Sequence, residues 1–519
     1  MGQGGNEGSE LYDGPGSAPS LYIAGTPATT APVDHFNALQ WSRTDTLAIS
    51  GLLLVALALR LWHLAQPAVI VFDENFTVSM ARCYLSHLPY RATHPPLASL
   101  LIALSIGILG DNPWGWRLPN ALVGTALVGI TYLLGRRMFD SRLAGALAAV
   151  FVTCDGLFLV DSRIALWEIF YLTFAACAYL TLFRFARRAD ALSGRRALAW
   201  MGFALGLCLG SKLLIPAVTV LLVIGFVVVI IVGEARAIGP NGKFESDWDG
   251  QLAGKIGGAL ALVGGLSGFV YLALFLPQYW FGWWHGIADQ ATYYRGEFYY
   301  QRALSGGTHP YASPWWSWPL MLRPILYWFK DEFFVDPNAP VAAIRALGNP
   351  VIWWGAVVSV PLVAIRAIIQ KNLAKSFLVV GYVAYLSMWI PIARYQFVYY
   401  YMPALYMGFL ALAAMLAECW QGKSRSWEHA TLMGALLPAI VLGFRAILGT
   451  VLAAVIAGAY LVLVRRSKRD AGIFVAVLFV ASVLIAFVYF FPIWTGLPVS
   501  AAGFRHRMWL HGPGLANWI

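Results

Sequence analysis

The chain has 519 residues, of which 59% are hydrophobic and 12% are charged. Soluble domains contain roughly 45–50% apolar and 25% charged residues, so this composition excludes a soluble globular protein, and it equally excludes a disordered or collagen-like chain. The formal net charge is +11. In a membrane protein such an excess of Lys and Arg is typical of cytoplasmic loops. We therefore predict that the protein lies in a lipid bilayer and that it does not bind nucleic acid.

The first 43 residues are rich in Gly, Ser, Pro and Thr and contain no apolar run. Such a segment cannot bury enough apolar surface to order itself, so we predict a disordered cytoplasmic tail over 1–43. The apolar run that follows, about 45–65, is not preceded by the basic segment and cleavage site of a signal peptide. We therefore predict that it is a retained membrane helix.

Apolar segments of about 20 residues, the length of a transmembrane helix, recur through the rest of the chain. We predict an all-α polytopic membrane protein with about 11–13 transmembrane helices. Besides 45–65, the predicted spans are 117–136, 142–160, 165–184, 197–211, 213–232, 256–276, 350–369, 376–393, 397–417, 429–444, 446–464 and 472–491.

The clusters of Lys and Arg between these segments fall on one side of the membrane when all the spans are counted. This side is predicted to be cytoplasmic, together with the N-terminus. The count depends on 429–464, which we interpret as a tight hairpin near Gly443–Arg445 rather than as one long helix. The clusters are Arg136/Arg137, Arg184/Arg187/Arg188/Arg195/Arg196, Arg366/Lys371/Lys375, Lys423/Arg425 and Arg465/Arg466/Lys468/Arg469.

Three polar segments then share the predicted extracytoplasmic face: 66–116, 277–349 and the C-terminal tail 492–519. An N-terminal transmembrane module, 44–276, includes the first of these loops. A C-terminal module, 350–491, follows the second loop. We expect the function to lie on this face.

The loop 277–349 is dense in Trp and Tyr. Indole rings favour the headgroup region, so the loop is interpreted as an interfacial aromatic belt or, alternatively, as a platform facing a carbohydrate or a lipid. The run 97–109 is apolar but too short to span a membrane comfortably, and an interfacial helix is predicted there.

Two adjacent carboxylates, Asp73 and Glu74, directly follow the first predicted span. A solvated start of a loop is one interpretation, but ionisable groups near membrane depth are commonly functional. Their like charges, or partial desolvation, would raise the pKa of one carboxyl and make it a plausible general base. We therefore interpret the pair as part of a site.

Cationic side chains lie on the same predicted face. Arg163, close to Glu168 in the sequence, could form a salt bridge with one of the two acids, or its guanidinium could hold a phosphate. Lys212 has similar options, and Arg394 lies on the same predicted outer side. This combination of charges suits a site that binds an anionic headgroup and uses a base on a neutral nucleophile.

The sequence contains neither a G-x-x-x-x-G-K-[ST] loop nor a strand-borne G-x-G-x-x-G, so nothing indicates a soluble nucleotide donor. Its five cysteines are scattered without metal-ligand spacing, and no metal site or disulfide framework is predicted. His94 precedes two prolines and is interpreted as part of a rigid turn rather than as a ligand. A lipid-borne phosphate is the predicted partner of a site at membrane depth.

In their order along the chain, these motifs resemble those of the protein O-mannosyltransferases, membrane enzymes of the GT-C glycosyltransferase class that use polyprenyl-phosphate mannose. The resemblance extends over nearly the whole chain after residue 45. Its motifs are Asp73-Glu74; His94-Pro95-Pro96-Leu97; Ser162-Arg163 with Glu168; His309-Pro310-Tyr311 with Ser313 to Leu320 and Arg323-Pro324; Arg394 to Leu405, which includes Tyr400; and Pro492 to Pro498 with Arg507 to Leu510.

The resemblance implies a GT-C architecture whose extracytoplasmic loops hold the active site. It implies an inverting transfer of mannose from polyprenyl phosphate to Ser or Thr hydroxyls of secreted or membrane proteins. Asp73 would be the base, and Glu74 would orient the base or the acceptor. Arg163, with Lys212 and Arg394, would steady the phosphate as negative charge develops on it, so no metal or other cofactor is expected to be required.

The sequence also differs from the family pattern. Tyr400 stands where the family usually has His, Glu168 replaces a more usual Asp, and Ala92 and Ser99 occupy positions of an acid and a lysine. These differences leave the acceptor and the sugar open. The loop 277–349 has no room for the large sugar-binding-like insert of eukaryotic members, which implies a bacterial-type enzyme of the plasma membrane.

Two alternatives remain at this point. The first is a GT-C transferase that moves another sugar from polyprenyl phosphate to a lipid or a glycan. The second is a membrane transporter or lipid flippase, in which buried charges would line a substrate path.

Overall fold

The computed structural model describes residues 40–89, 94–237, 248–304, 307, 309–330, 339–444, 446–511 and 517–518. The predicted tail 1–43 lies almost entirely outside the described residues. The N-terminal half is helical. Its helices are α1 (Arg43–Leu61), α2 (Glu74–Ser86), α3 (Leu97–Leu109), α4 (Pro113–Phe139), α5 (Arg142–Cys154), α6 (Gly156–Asp161), α7 (Glu168–Ala186), α8 (Ala191–Leu209), α9 (Leu214–Ala237) and α10 (Trp248–Ala273).

Two short helices and a hairpin of strands follow, and then a second set of helices. The later elements are α11 (Leu276–Trp280), α12 (Ile287–Ala303), β1 (Ile325–Phe329), β2 (Ala343–Ala346), α13 (Pro350–Gln370), α14 (Leu373–Ser387), α15 (Met402–Trp420), α16 (Ser426–Gly443), α17 (Ala446–Arg466), α18 (Lys468–Thr495) and α19 (Ala501–Arg507). Two short 3-10 helices, Trp315–Ser317 and Val398–Tyr401, complete the set.

The two strands are the one departure from the all-α prediction among the described residues. β1 and β2 pair antiparallel, with Ile325 opposite Ala346 and Phe329 opposite Ala343. β1 reads Ile-Leu-Tyr-Trp-Phe, and such β-branched and aromatic residues favour a pleated, half-buried surface. The hairpin belongs to the segment predicted as the loop 277–349.

By length and apolar composition, nine helices in the described parts of the chain could cross a membrane. Each of the predicted spans contains a helix. The four predicted spans outside the nine correspond to α5, α8, α14 and α16, which are shorter or carry charged residues. The short apolar helix predicted over 97–109 is confirmed as α3.

The predicted span 142–160 is wrong as a single helix, because the chain breaks at Asp155. The Asp155 carboxylate accepts hydrogen bonds from the backbone N–H groups of Leu157 and Phe158, at 3.0 and 3.2 Å. This is the cap of a new helix, so α5 ends at Cys154 and α6 begins at Gly156. The predicted hairpin near Gly443–Arg445 is confirmed, since α16 ends at Gly443 and α17 begins at Ala446.

The start of α1, the end of α4 and the start of α5 meet at one end of the helices, around the buried Asp45. Its carboxylate accepts hydrogen bonds from Arg136 at 2.6 Å and from Arg142 at 2.9 Å. Gln421, after α15, donates to Ser141 at 3.5 Å and brings the second half of the chain to the same end. We call this end the basic face, and the opposite end, where α1 finishes and α7 and α9 begin, the site face.

The core lies around α7 and α15. Within their apolar stretches 83% and 94% of the residues are buried inside the protein, against 17% for α1 and for α17. Phe409 of α15 contacts both Phe151 and Phe158, with ring centroids 6.4 and 5.0 Å apart. These two buried helices therefore form the centre of the core.

Candidate active site

The turn between α1 and α2 presents Asp73. The residue before it, Phe72, has a left-handed backbone with φ of +46°, and its ring stacks on Tyr327 with centroids 4.2 Å apart. Asp73 occupies the N-cap position of α2, but its carboxylate makes no capping hydrogen bond. It has no hydrogen bond or ion pair to any residue of the described chain, which leaves this half-buried carboxylate available for other chemistry.

The neighbouring carboxylate, Glu74, is buried and fully occupied. Arg117 of α4 binds it in a bidentate way, with N···O distances of 2.7 and 2.9 Å. The backbone N–H groups of Val71 and Ala165 also donate to it, at 2.9 and 3.0 Å. Glu74 does not reach the cavity beside Asp73. Its hydrogen bonds tie the turn that carries Asp73 to α4 and to the chain before α7.

A cavity of about 740 Å³ opens beside Asp73, and we call it the catalytic cavity. Side chains from both halves of the chain line it. Six of the nine predicted site residues are among them: Asp73, His94, Lys212, His309, Arg394 and Tyr400.

Lys212 lies in the turn between α8 and α9 and forms an ion pair with Glu168 at the start of α7. Its ammonium also lies above the rings of Tyr399 and Tyr400, 5.7 and 5.3 Å from their centroids. Cations are attracted to the faces of aromatic rings at this range. Lys212 is thus held at the cavity wall by one acid and by aromatic faces.

Arg394 approaches the cavity from the second half of the chain. One of its guanidinium nitrogens donates to the Tyr400 hydroxyl at 2.6 Å, and Nε donates to the Tyr395 carbonyl at 3.3 Å. Tyr400 stacks flat on Trp389, with centroids 4.5 Å apart and planes inclined by 3°. This stacking fixes the tyrosine that positions the guanidinium.

The two histidines of the catalytic cavity contact aromatic rings. His94 meets Trp167 edge to face at 4.4 Å, and the N–H of Leu97 binds the Gly210 carbonyl at 3.0 Å, which ties the His94 turn to the turn of Lys212. His309 stacks on Tyr395 at 5.8 Å. Burial lowers the pKa of both imidazoles, and the cations Lys212 and Arg394 lower that of His94 further.

Asp73 experiences opposing electrostatic influences. Burial raises the pKa of its carboxyl to about 6, and the nearby charge of Glu168 also raises it. Lys212 and Arg394 lower the pKa of the same carboxyl. At neutral pH Asp73 is therefore ionised, yet it is a stronger base than an ordinary aspartate.

The structure does not place Arg163 at the catalytic cavity. Its guanidinium is buried and donates to the backbone carbonyls at the end of α1: Leu59 at 2.8 Å, Arg60 at 3.2 Å, Trp62 at 2.5 Å and His63 at 3.3 Å. These carbonyls have no partner within the helix, so Arg163 satisfies them. Neither the predicted phosphate contact nor the alternative salt bridge with Asp73 or Glu74 agrees with this position.

Helix α12 contributes side chains to the catalytic cavity that the sequence analysis did not single out. They include Glu297 and Arg302, together with Tyr294 and Tyr300. The sequence did contain a signal for these residues, because an acid and two arginines interrupt a run of aromatic residues between Tyr293 and Arg302. The aromatic loop is thus partly a wall of the site, while Trp280, 86% exposed, fits the predicted interfacial belt.

Models of known protein families match both halves of the chain. A sequence model described as dolichyl-phosphate-mannose-protein mannosyltransferase matches residues 50–281. A second, described as the C-terminal four-transmembrane region of protein O-mannosyltransferase, matches residues 296–512. The chain belongs to the protein O-mannosyltransferase family.

Individual relatives of this family match over most of their length. A polyprenol-phosphate-mannose–protein mannosyltransferase of Mycobacterium tuberculosis is 25% identical, over 93% of this chain and 95% of the relative. A protein of the same name from Mycolicibacterium smegmatis is 26% identical, over 80% of this chain and 81% of the relative.

Two solved structures share the fold. One is the S. cerevisiae protein O-mannosyltransferase Pmt1-Pmt2 complex bound to the sugar donor, with a TM-score of 0.72, 14% identity, and coverage of 92% of this chain and 93% of that chain. The other is ArnT from Cupriavidus metallidurans bound to undecaprenyl phosphate, with a TM-score of 0.52, 14% identity, and coverage of 87% and 76%. The predicted GT-C architecture is confirmed.

The position of Arg163 leads to a prediction that distinguishes a structural role at the end of α1 from the phosphate-binding role. Arg163→Ala should lower the unfolding temperature in detergent and lower kcat, because the end of α1 and the turn to Asp73 lose their anchor. The KM for the lipid donor should remain unchanged, since the guanidinium does not reach the cavity. Thermal unfolding and donor titrations of the purified variant measure both. A raised donor KM with unchanged stability would restore the phosphate role.

Proposed function

We propose that this enzyme transfers mannose from a polyprenyl phosphate to the hydroxyl of a Ser or Thr residue in a polypeptide, with inversion at the anomeric carbon. Its family makes it a glycosyltransferase, which sets aside the transporter or flippase alternative. The observation that carries the proposal is the position of Asp73, a half-buried carboxylate that has no side-chain partner among the described residues and shares one cavity with Lys212 and Arg394.

In this reaction Asp73 is the general base. The acceptor hydroxyl loses its proton to the Asp73 carboxylate while its oxygen forms a bond to the anomeric carbon. The bond between that carbon and the phosphate oxygen breaks, and polyprenyl phosphate leaves with the bonding electron pair. A carboxyl whose pKa is about 6 suits this role, since a general base works best when its pKa lies near the operating pH.

Lys212 and Arg394 hold the leaving phosphate. Each is fixed at the cavity wall, Lys212 by Glu168 and Arg394 by Tyr400, so neither has to reorganise as negative charge develops on the leaving oxygen. Preorganised donors of this kind supply a large part of enzymatic rate enhancement. We propose that these two cations stabilise the charge and that the reaction requires no metal.

The orientation follows from charge. Lys and Arg are enriched on the cytoplasmic side of membrane proteins, and the clusters around Arg136 and Arg142 lie at the basic face. We therefore place the basic face in the cytoplasm and the catalytic cavity outside, in the plasma membrane of a bacterium. Secreted or membrane polypeptides would meet the enzyme on that outer side.

The direct test uses purified enzyme, radiolabelled polyprenyl-phosphate mannose and a peptide with one Thr. We expect alkali-labile label on the peptide, also in the presence of EDTA. Asp73→Asn should reduce the rate by roughly 10²–10⁴-fold, the usual contribution of a general base, and should leave donor binding intact.

Asp111→Asn is the matched control for this test, because Asp111 is another aspartate of the site face, paired with Arg82 outside the cavity. It should transfer at the wild-type rate. Transfer by Asp73→Asn at that same rate would remove the assigned base.

The pH dependence provides a second test of the base. Asp73 acts only when deprotonated, so kcat/KM should rise with pH through about 6 and level off above it. Burial lowers the pKa of both cavity histidines, so they become protonated at a lower pH than ordinary imidazoles do. A profile that stays flat through this range in the wild type would contradict the assignment.

The phosphate role can be tested by removing each cation. Lys212→Met and Arg394→Met should raise the donor KM and lower kcat, by roughly 10²-fold in kcat for one lost charge-stabilising donor, with the KM for the peptide unchanged. Arg295→Met removes an exposed cation of α12 outside the cavity wall and serves as the control. Donor kinetics that are equal in all three variants would refute the role.

A further inference from the structure

A second cavity, of about 590 Å³, adjoins the catalytic cavity. His94 and Glu297 line both, so the two spaces meet at these side chains. We call the second space the acidic chamber. Its wall also includes Phe275, Gln278, Trp284, Asp289 and Tyr293.

The two spaces differ in charge. The catalytic cavity has Lys212, Arg302 and Arg394 in its wall, besides Asp73 and the shared Glu297. The acidic chamber has the carboxylates Asp289 and Glu297, and within the described residues no Lys or Arg lines it. A phosphate is therefore attracted to the catalytic cavity and repelled by the chamber, which suits a neutral or cationic group instead.

A buried amide in the wall lacks one of its hydrogen-bond partners. Gln278 of α11 is 3% exposed, and its amide nitrogen donates to the Tyr84 hydroxyl at 2.7 Å. Its Oε1 atom has no partner anywhere in the described chain, and neither does the buried hydroxyl of Tyr293. Buried polar atoms are nearly always hydrogen-bonded, so these two atoms indicate a ligand that brings hydrogen-bonding groups into the chamber, including a donor for the Gln278 oxygen.

Apolar surface surrounds these polar atoms. Phe275 and Trp284 stack with centroids 5.3 Å apart, and Tyr293 lies 5.7 Å from Trp284. A prenyl chain would cover this surface but would leave the Gln278 oxygen without a hydrogen-bond donor, which is costly. A polypeptide satisfies both requirements, because it carries backbone N–H groups and side chains together.

We propose that the acidic chamber binds the segment of the acceptor polypeptide next to the modified Ser or Thr. The chain would pass between His94 and Glu297, so that the target hydroxyl enters the catalytic cavity and faces Asp73. This inference rests on the proposed function. It adds a substrate preference to that function. The enzyme should prefer acceptors with a basic residue beside the modified Ser or Thr over acceptors with an acidic residue there.

Peptides that differ only in charge provide the test. Three peptides contain one Thr flanked by Lys, by Ala or by Glu. The wild-type enzyme should use them in that order, with a difference of roughly two- to fivefold in kcat/KM per flanking charge. Asp289→Lys should reverse the order. Asp111→Lys makes the same charge change on the same face outside the chamber and should preserve it.

A second variant does not depend on charge. Gln278→Leu removes the unpartnered oxygen and should raise the KM for all three peptides severalfold while the KM for the lipid donor stays constant. If Asp289→Lys only impairs folding, this variant still decides the question, because a purely structural defect would alter the kinetics of both substrates.

The outcomes separate the two proposals. Transfer with no charge preference, or with a preference that Asp289→Lys leaves unchanged, overturns the inference and leaves the proposed function standing. A donor KM that rises while the peptide KM stays constant assigns the chamber to the donor and also overturns it. A wild-type enzyme that labels none of the peptides contradicts the proposed function itself.

Discussion

The buried ion pair between Glu74 and Arg117 determines where Asp73 points. A buried pair stabilises a structure only when further hydrogen bonds complete it, and here Arg117 also donates to the carbonyls of Leu64, Pro67 and Val69, at 3.1, 2.8 and 2.8 Å. One guanidinium thus ties the irregular chain after α1 to α4. The two adjacent acids consequently differ: Glu74 uses its oxygens inside the protein, and Asp73 keeps its own for the cavity.

The cations of the site are held by a different kind of support. Lys212 is paired with Glu168, and the rings of Tyr399 and Tyr400 lie beside it. Arg394 depends on Tyr400, which stacks on Trp389. Aromatic faces attract cations without neutralising their charge. Lys212 and Arg394 therefore keep their positive charge available to a phosphate, although Glu168 lies next to Lys212.

The sequence predicted the apolar helices and the acid pair because both signals are local. A helix is indicated by a run of apolar residues, and the acid pair by two carboxylates that directly follow such a run. The partner of Glu74 could not be predicted in this way, since Arg117 lies at the edge of an apolar run and meets Glu74 only through tertiary packing. Arg163 was assigned to a charged ligand, but it binds backbone carbonyls, which no side-chain pattern reveals. The break at Asp155 was missed because its flanks are apolar on both sides.

The opposing influences on Asp73 have a consequence for the proposed reaction. Lys212 and Arg394 lower the pKa of its carboxyl while burial raises it. A donor phosphate bound between these cations would offset their charge, and removing the influence of nearby cations raises the pKa of a carboxyl. The bound donor would therefore make Asp73 a stronger base just when an acceptor hydroxyl needs to be deprotonated, whereas the empty enzyme keeps a weaker one.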